Sequence, residues 1–175
     1  MLRSIGIGVL SVLMVSASLW ERGDAKGHTM SVSPAPAFEI VTASGDTFSN
    51  TTLKGRPALL VFWAPWCKVC QRELPELAKF YQDGKPQALH MLSIGFADLR
   101  ANVEAFVKER PDVFVFPNAY DEDRWLAQTF RVNATPTYVA LDSEGHIALV
   151  HRGGGVLQNP KFRAFLSAVK RQGNG

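Results

Sequence analysis

The six residues Ala58-Leu59-Leu60-Val61-Phe62-Trp63 carry no charged side chain and no alternation of polar and apolar positions, and this run constrains the fold more than any other segment. A strand with one wet face would alternate; an unbroken apolar run bounded by turn residues predicts a strand covered on both faces. Such strands belong in the middle of a parallel or mixed sheet with helices packed on it. The run is preceded by the loop Leu53-Lys54-Gly55-Arg56-Pro57 and ends in Ala64-Pro65-Trp66-Cys67. With 175 residues, 46% apolar and 20% charged, the chain is about one domain long and can fill such a core. Wholesale disorder, collagen-like repeats and long coiled coils are excluded by the same figures.

Around this strand the remaining pattern is that of one α/β domain without internal repeats. From Cys67 or Lys68 to about Tyr81, the apolar positions Val69, Leu74, Leu77, Ala78, Phe80 and Tyr81 recur at roughly helical spacing, and Asp83-Gly84 supplies a stop. Pro75 within that helix removes one hydrogen bond. Residues 88–95 read as the next strand, 101–110 as a second helix stopped by Pro111, 114–116 as a short extended piece and 121–130 as a short helix. Two strands, 137–141 and 147–152, flank the turn Ser143-Glu144-Gly145, and a closing helix with proline in its first turn spans 160–171. Upstream, residues 38–41 and 47–48 form a small hairpin around Ser44-Gly45-Asp46. Gly153, Gly154 and Gly155 lack the spacing and the downstream Lys-Ser/Thr of a phosphate loop, and read as a flexible turn after an edge strand.

The N-terminus sets the compartment. Arg3 precedes Ser4 to Trp20, 17 residues without a charge, and a polar stretch without periodicity follows. Residues 1–20 are expected to be a signal peptide or a single membrane anchor, and residues 21–36 a polar tether closed by Pro34 and Pro36. The length sits at the lower edge of a bilayer span, Val15-Ser16-Ala17 offers a cleavage site, and Arg3 obeys the positive-inside rule under either reading. The rest of the chain is then expected to be periplasmic or otherwise extracytoplasmic, soluble or tethered to the inner membrane. The formal charge of +3 is scattered, without the basic stripe of a nucleic-acid binder, so no nucleic-acid partner is expected.

An exported compartment permits disulfides, and the chain has two cysteines, Cys67 and Cys70. They lie at a strand-to-helix junction. Cys67 falls at the helix N-terminus, where free N–H groups and the macrodipole favour a thiolate, and Lys68 adds a positive charge. Cys70 points into the domain, close enough to attack a mixed disulfide on Cys67. Cys67 thus reads as the exposed nucleophile and Cys70 as the resolving thiol. A structural disulfide or half a metal site are the other readings of two cysteines three apart. For a metal the second half is missing, since His28 is in the tether, His90 in a strand, and His146 and His151 in the late hairpin. No metal and no organic cofactor is expected.

Three stretches together resemble the thioredoxin superfamily, in particular its exported TlpA/ResA-like branch of thiol-disulfide oxidoreductases. They are the run from Leu60 to Cys70, its continuation Cys70-Gln71-Arg72-Glu73-Leu74-Pro75, and Val132-Asn133-Ala134-Thr135-Pro136-Thr137 followed by Leu141-Asp142-Ser143-Glu144-Gly145. The resemblance implies a thioredoxin-like α/β fold over residues 37–172, a central mixed sheet flanked by helices with a short N-terminal β-hairpin extension. It implies that Pro136 is cis and faces the cysteines, and that the Thr135 backbone pairs with a substrate chain. It also implies that Trp66 flanks the nucleophile while Trp63 packs beneath it, and that Glu73 sits near the site. There Glu73 exchanges the proton that the reaction moves, its charge favouring the neutral thiol.

Three departures bear on function. Val61 stands where many cytosolic thioredoxins carry a buried aspartate, which leaves proton transfer to Glu73 or water. Lys68-Val69 replaces Gly-Pro between the cysteines, so the direction of electron flow does not transfer from the family. The loop at Arg131 to Thr137 lacks the glycines and glutamate of cytochrome c maturation members. The expectation is an enzyme that reduces disulfides in client proteins, apocytochrome c or other exported proteins; the resemblance and the targeting segment together imply recharging by a membrane thiol-disulfide electron transporter. An oxidase donating its disulfide, and a copper(I)- or client-binding module without turnover, are the alternatives.

Overall fold

A computed structural model describes residues 33–172; the expected targeting segment 1–20 and most of the tether lie outside the described residues. No helix among the described residues is long and apolar enough to cross a membrane.

The apolar run is strand β4 (Ala58–Trp63), buried at every position. Its side chains alternate between the two faces of the sheet. Leu59, Val61 and Trp63 join one cluster, with Leu74 and Leu77 of helix α1 (Lys68–Lys79) and Phe162 and Val169 of helix α4 (Pro160–Gln172). Leu60 and Phe62 join the other, with Phe38, Ile40, Leu126 and Phe130. Each strand-facing stripe on the helices is apolar because positions three and four apart share a face.

Strands β5 (His90–Gly95) and β6 (Asn118–Tyr120) add in parallel on one side of β4, reached through α1 and helix α2 (Arg100–Lys108). On the other side β7 (Thr137–Leu141) and β8 (His146–Arg152) add antiparallel as a hairpin. Parallel pairing precedes antiparallel pairing along the chain, as the element order predicts. A two-residue strand β1 (Ser33–Pro34) completes the main sheet, whose six strands stand in the order β1-β8-β7-β4-β5-β6. Strands β2 (Glu39–Val41) and β3 (Thr47–Ser49) form the separate N-terminal hairpin. This is the thioredoxin-like architecture the resemblance implies.

Three expectations are corrected. Ser33–Pro34, assigned to the tether, is strand β1 and pairs with Ile147 and His146 of β8. The extended piece at 114–116 is not a strand; Phe114 packs on Trp63 and Phe116 on Tyr81, and the edge strand is β6, a few residues on. The helix at 121–130 is a 3-10 turn (Glu122–Arg124) followed by α3 (Trp125–Thr129), separated by Asp123 and Arg124 at positive φ. Asp121 causes this shape: its buried carboxylate accepts from the N–H groups of Leu126 and Ala127, each at 2.8 Å, and so moves the start of α3 inward along the chain. Helix α1 passes through Pro75 and gives way at Phe80–Gly84 to a π-helical turn.

Candidate functional site

Strand β4 ends at Trp63, and a few residues later the chain is already in a helix. Cys67 is the N-cap of α1, with extended backbone, and its Sγ accepts from the Cys70 N–H at 3.1 Å. The turn between is held by Gln71, whose Nε2 donates to the Pro65 carbonyl at 2.7 Å. Cys67 and Cys70 are joined as a disulfide, their Cα atoms 5.2 Å apart. No acidic residue stands in the first turn of the helix. On reduction, the Cys70 N–H, the positive end of the macrodipole and Lys68 would all favour a Cys67 thiolate.

The expectation that Cys67 is exposed is corrected. It is 5% exposed, against 1% for Cys70, because the N-cap geometry turns its sulfur in toward the helix end and Cys70. The exposed group is Trp66, 59% accessible, with Nε1 donating to the Ala97 carbonyl at 3.1 Å. Trp63 is fully buried beneath the pair, its ring against Phe106 and Phe114.

The Thr135–Pro136 peptide is cis, as the resemblance implies. Thr135 and Trp66 line one groove of about 340 Å³, together with Phe96, Arg124, Gln128 and Val132. The structure thus brings the segment before the cis proline to the same opening as the tryptophan before Cys67. An extended chain laid there would find the backbone of Thr135 and an apolar floor.

Glu73 lies one helical turn beyond Cys70, on the same face of α1. Its Oε2 accepts from the Gly155 N–H at 2.7 Å. A side chain on Gly154 would crowd Glu73, since its Cβ would stand 2.7 Å from Glu73 Oε1 and 3.2 Å from Val69 Cγ1. Gly153 donates from its N–H to the Pro136 carbonyl at 2.9 Å. The three glycines, read from sequence as a flexible turn, are therefore a bridge that ties the cis-proline loop to the active-site helix. A triplet of glycines after a strand is equally the pattern of a loose connection; only the long-range partners distinguish the two.

Sequence reasoning also missed Tyr138. It pairs across the sheet with Val61 on one side and His151 on the other, so a phenol stands beside the position where the aspartate of cytosolic thioredoxins is absent. The hydroxyl is buried, without a hydrogen-bond partner among the described residues. Burial pushes its pKa far up, and the negative charges of Glu73 and Glu76 add to the shift, so it stays protonated as a donor. An aromatic residue within an apolar strand carries no sequence mark that separates this from ordinary core.

A family model for the AhpC/TSA family matches residues 32–150. Thiol-disulfide oxidoreductase ResA of Bacillus subtilis (strain 168) is 29% identical over 121 residues, 69% of this chain and 66% of that protein, just under two thirds of its length. Thioredoxin-like protein YneN of the same organism is 29% identical over 164 residues, 87% of this chain and 92% of the relative. Among solved structures, a secreted disulfide oxidoreductase of Mycobacterium tuberculosis described as homologous to E. coli DsbE superposes with a TM-score of 0.58. It is 25% identical and covers 77% of this chain and 95% of that one.

Proposed function

The chain belongs to the AhpC/TSA family, and from that premise we propose that it is an exported thiol-disulfide oxidoreductase which reduces disulfides in extracytoplasmic client proteins. The observation that carries the reading is the Cys67–Cys70 disulfide at the N-terminus of α1, with the Trp66–Thr135 groove as a docking place. The similarity to proteins named thiol-disulfide oxidoreductases supports the chemistry. The uncharged stretch from Ser4 to Trp20 and a relative described as secreted support the compartment.

In the dithiol form, the Cys67 thiolate attacks one sulfur of a client disulfide. A Cys67–client bond forms, the client S–S bond breaks, and the other client sulfur leaves as a thiolate that takes a proton from solvent. The Cys70 thiol then gives its proton to Glu73 and attacks Cys67 Sγ. This restores the Cys67–Cys70 disulfide and expels the second client sulfur, which is protonated in turn. Two electrons have passed to the client. Trp66, Thr135 and Pro136 hold the client chain during both exchanges. The resting disulfide is recharged by a dithiol donor at the membrane, a thiol-disulfide electron transporter. Clients are exported proteins that must present free thiols; the loop from Arg131 to Thr137, without the glycines and glutamate of cytochrome c maturation members, argues against a dedicated role on apocytochrome c.

The test is insulin reduction by dithiothreitol. The protein accelerates it, and Cys67→Ser does not; equal rates for the two would overturn the reading. Cys70→Ala holds clients covalently on Cys67, and mass spectrometry of those adducts identifies both clients and donor. A potential near the roughly −270 mV of thioredoxin fits a reductase, whereas one near the roughly −120 mV of a strong oxidant reassigns the protein as a disulfide donor.

A further inference from the structure

The Glu73 carboxylate is held from outside its own helix. One carboxylate oxygen is bonded to the Gly155 N–H, 82 residues away, and the other lies against Gly154. The carboxylate is placed by the glycine bridge, so whatever holds the bridge holds Glu73. Gly153 and Gly155 have φ of 85° and 81°, a left-handed backbone open to glycine at no steric cost, and such a segment stays in one shape only if tied.

One tie is the Gly153 N–H to the Pro136 carbonyl. A second runs from the Gln158 N–H to the Gly155 carbonyl at 3.1 Å, and the third is His151, whose Nε2 lies 2.9 Å from the Gly154 carbonyl oxygen. The surrounding bonds settle which ring nitrogen carries the proton. Asn159 Oδ1 accepts from the Lys161 N–H at 2.8 Å, capping α4. Its Nδ2 is then the atom facing His151 Nδ1 at 3.0 Å, and it donates. Nδ1 must accept, the proton resides on Nε2, and Nε2–H donates to Gly154. The Tyr138 ring, 5.8 Å from the imidazole between centroids, flanks it from the neighbouring strand. The imidazole is thus oriented from three sides while its one donor points at the bridge.

We propose that His151 is a positioning residue for Glu73: through the Gly154 carbonyl it locks the glycine bridge that holds the carboxylate one turn beyond Cys70. His151 touches neither client nor sulfur. Its effect is on the probability that the carboxylate is in place when the Cys70 thiol gives up its proton. The inference rests on the role of Glu73 in the mechanism above.

Rates of dithiothreitol-driven insulin reduction are compared for wild type, Glu73→Gln, His151→Phe, His151→Gln and the double variant Glu73→Gln/His151→Phe, with folding checked by circular dichroism. His151→Phe removes the donor, and the rate falls about fivefold, the factor that corresponds to one ordinary hydrogen bond of about 1 kcal/mol. His151→Gln places an amide N–H as far along the side chain as Nε2 and restores the rate to within about twofold. If His151 acts through Glu73, the double variant is no slower than Glu73→Gln alone. A full multiplicative loss in the double variant, or a wild-type rate for His151→Phe while Glu73→Gln is slow, overturns the inference and leaves the proposed function standing. A wild-type rate for Glu73→Gln instead removes the proton-transfer role of Glu73 itself, and the inference with it. Should His151→Phe not fold, His151→Gln decides: a rate as slow as that of Glu73→Gln refutes the hydrogen-bond role.

Discussion

Gly154→Ala is the sharpest perturbation of the bridge. The residue does not occupy the left-handed region, so alanine suits the backbone and the entire cost falls on what its methyl group meets. The new carbon would stand 2.7 Å from Glu73 Oε1 and 3.1 Å from Cδ, where non-bonded heavy atoms prefer about 3.5 Å or more. Val69 Cγ1, at 3.2 Å, needs to give only a few tenths of an ångström. The carboxylate must retreat by roughly 0.5 Å or more, and in doing so it breaks its 2.7 Å hydrogen bond from the Gly155 N–H. A hydrogen bond to a charged group is worth about 1.5–3 kcal/mol, and the stiffer unfolded chain returns about 0.4–1. The net loss is then about 0.5–2.6 kcal/mol, or roughly 2–9 °C in Tm for a domain of this size. Urea denaturation measures the first and calorimetry the second, and insulin reduction slows in parallel. The decisive control is the same change in a Glu73→Ala background, where the obstructing carboxylate is gone and Gly154→Ala becomes neutral or stabilising. An equal loss in both backgrounds would refute the reasoning, because the cost would then lie in the backbone rather than in the carboxylate.

Two further outcomes concern stability. His90 has its pKa lowered, first by burial and then by the positive charges of Arg56 and Lys85. Its native state therefore binds a proton less readily than the unfolded chain, and stability is lost as the pH falls from about 6.5 through the lowered native value. Denaturation midpoints between pH 7.5 and 5 follow this slope, and His90→Gln flattens it; an unchanged slope would remove His90 as the cause. Phe162 is fully buried in α4, its ring near those of Phe80 and Phe165. Phe162→Ala is expected to cost about 3–5 kcal/mol, read in urea; a cost under about 1 would mean that α4 is not part of the cooperative core.

Strands β4 and β7 were legible residue for residue, because strands buried on both faces leave unbroken apolar runs. Helices α1, α2 and α4 were legible to within two residues at either end, since their apolar stripes and stop signals are local, whereas α3 begins four residues later than expected because the Asp121 carboxylate caps it from outside. The cysteine pair, the cis-proline segment and Glu73 were legible as motifs. Strand β1 was not, because two residues joined to β8 only by long-range pairing carry no periodicity of their own. The edge strand β6 was misplaced because Phe114 and Phe116 are the more apolar residues, yet they serve as packing against Trp63 and Tyr81 while Asn118–Tyr120 takes the backbone bonds to β5.

By itself the sequence determined the α/β layering and the chemistry of the site. Both are written in short-range terms, an apolar run of strand length and two thiols three residues apart where a strand becomes a helix. Only the tertiary structure decided how the site is held: Cys67 turned inward, Tyr138 set beside Val61, and Glu73 gripped by Gly155 from the far end of the domain. The physical reason is that a backbone N–H is the same donor at every residue. Nothing in the glycines at 153–155 marks which carboxylate they will meet, and that is fixed when β7 and β8 pair with β4 and bring the loop beside α1.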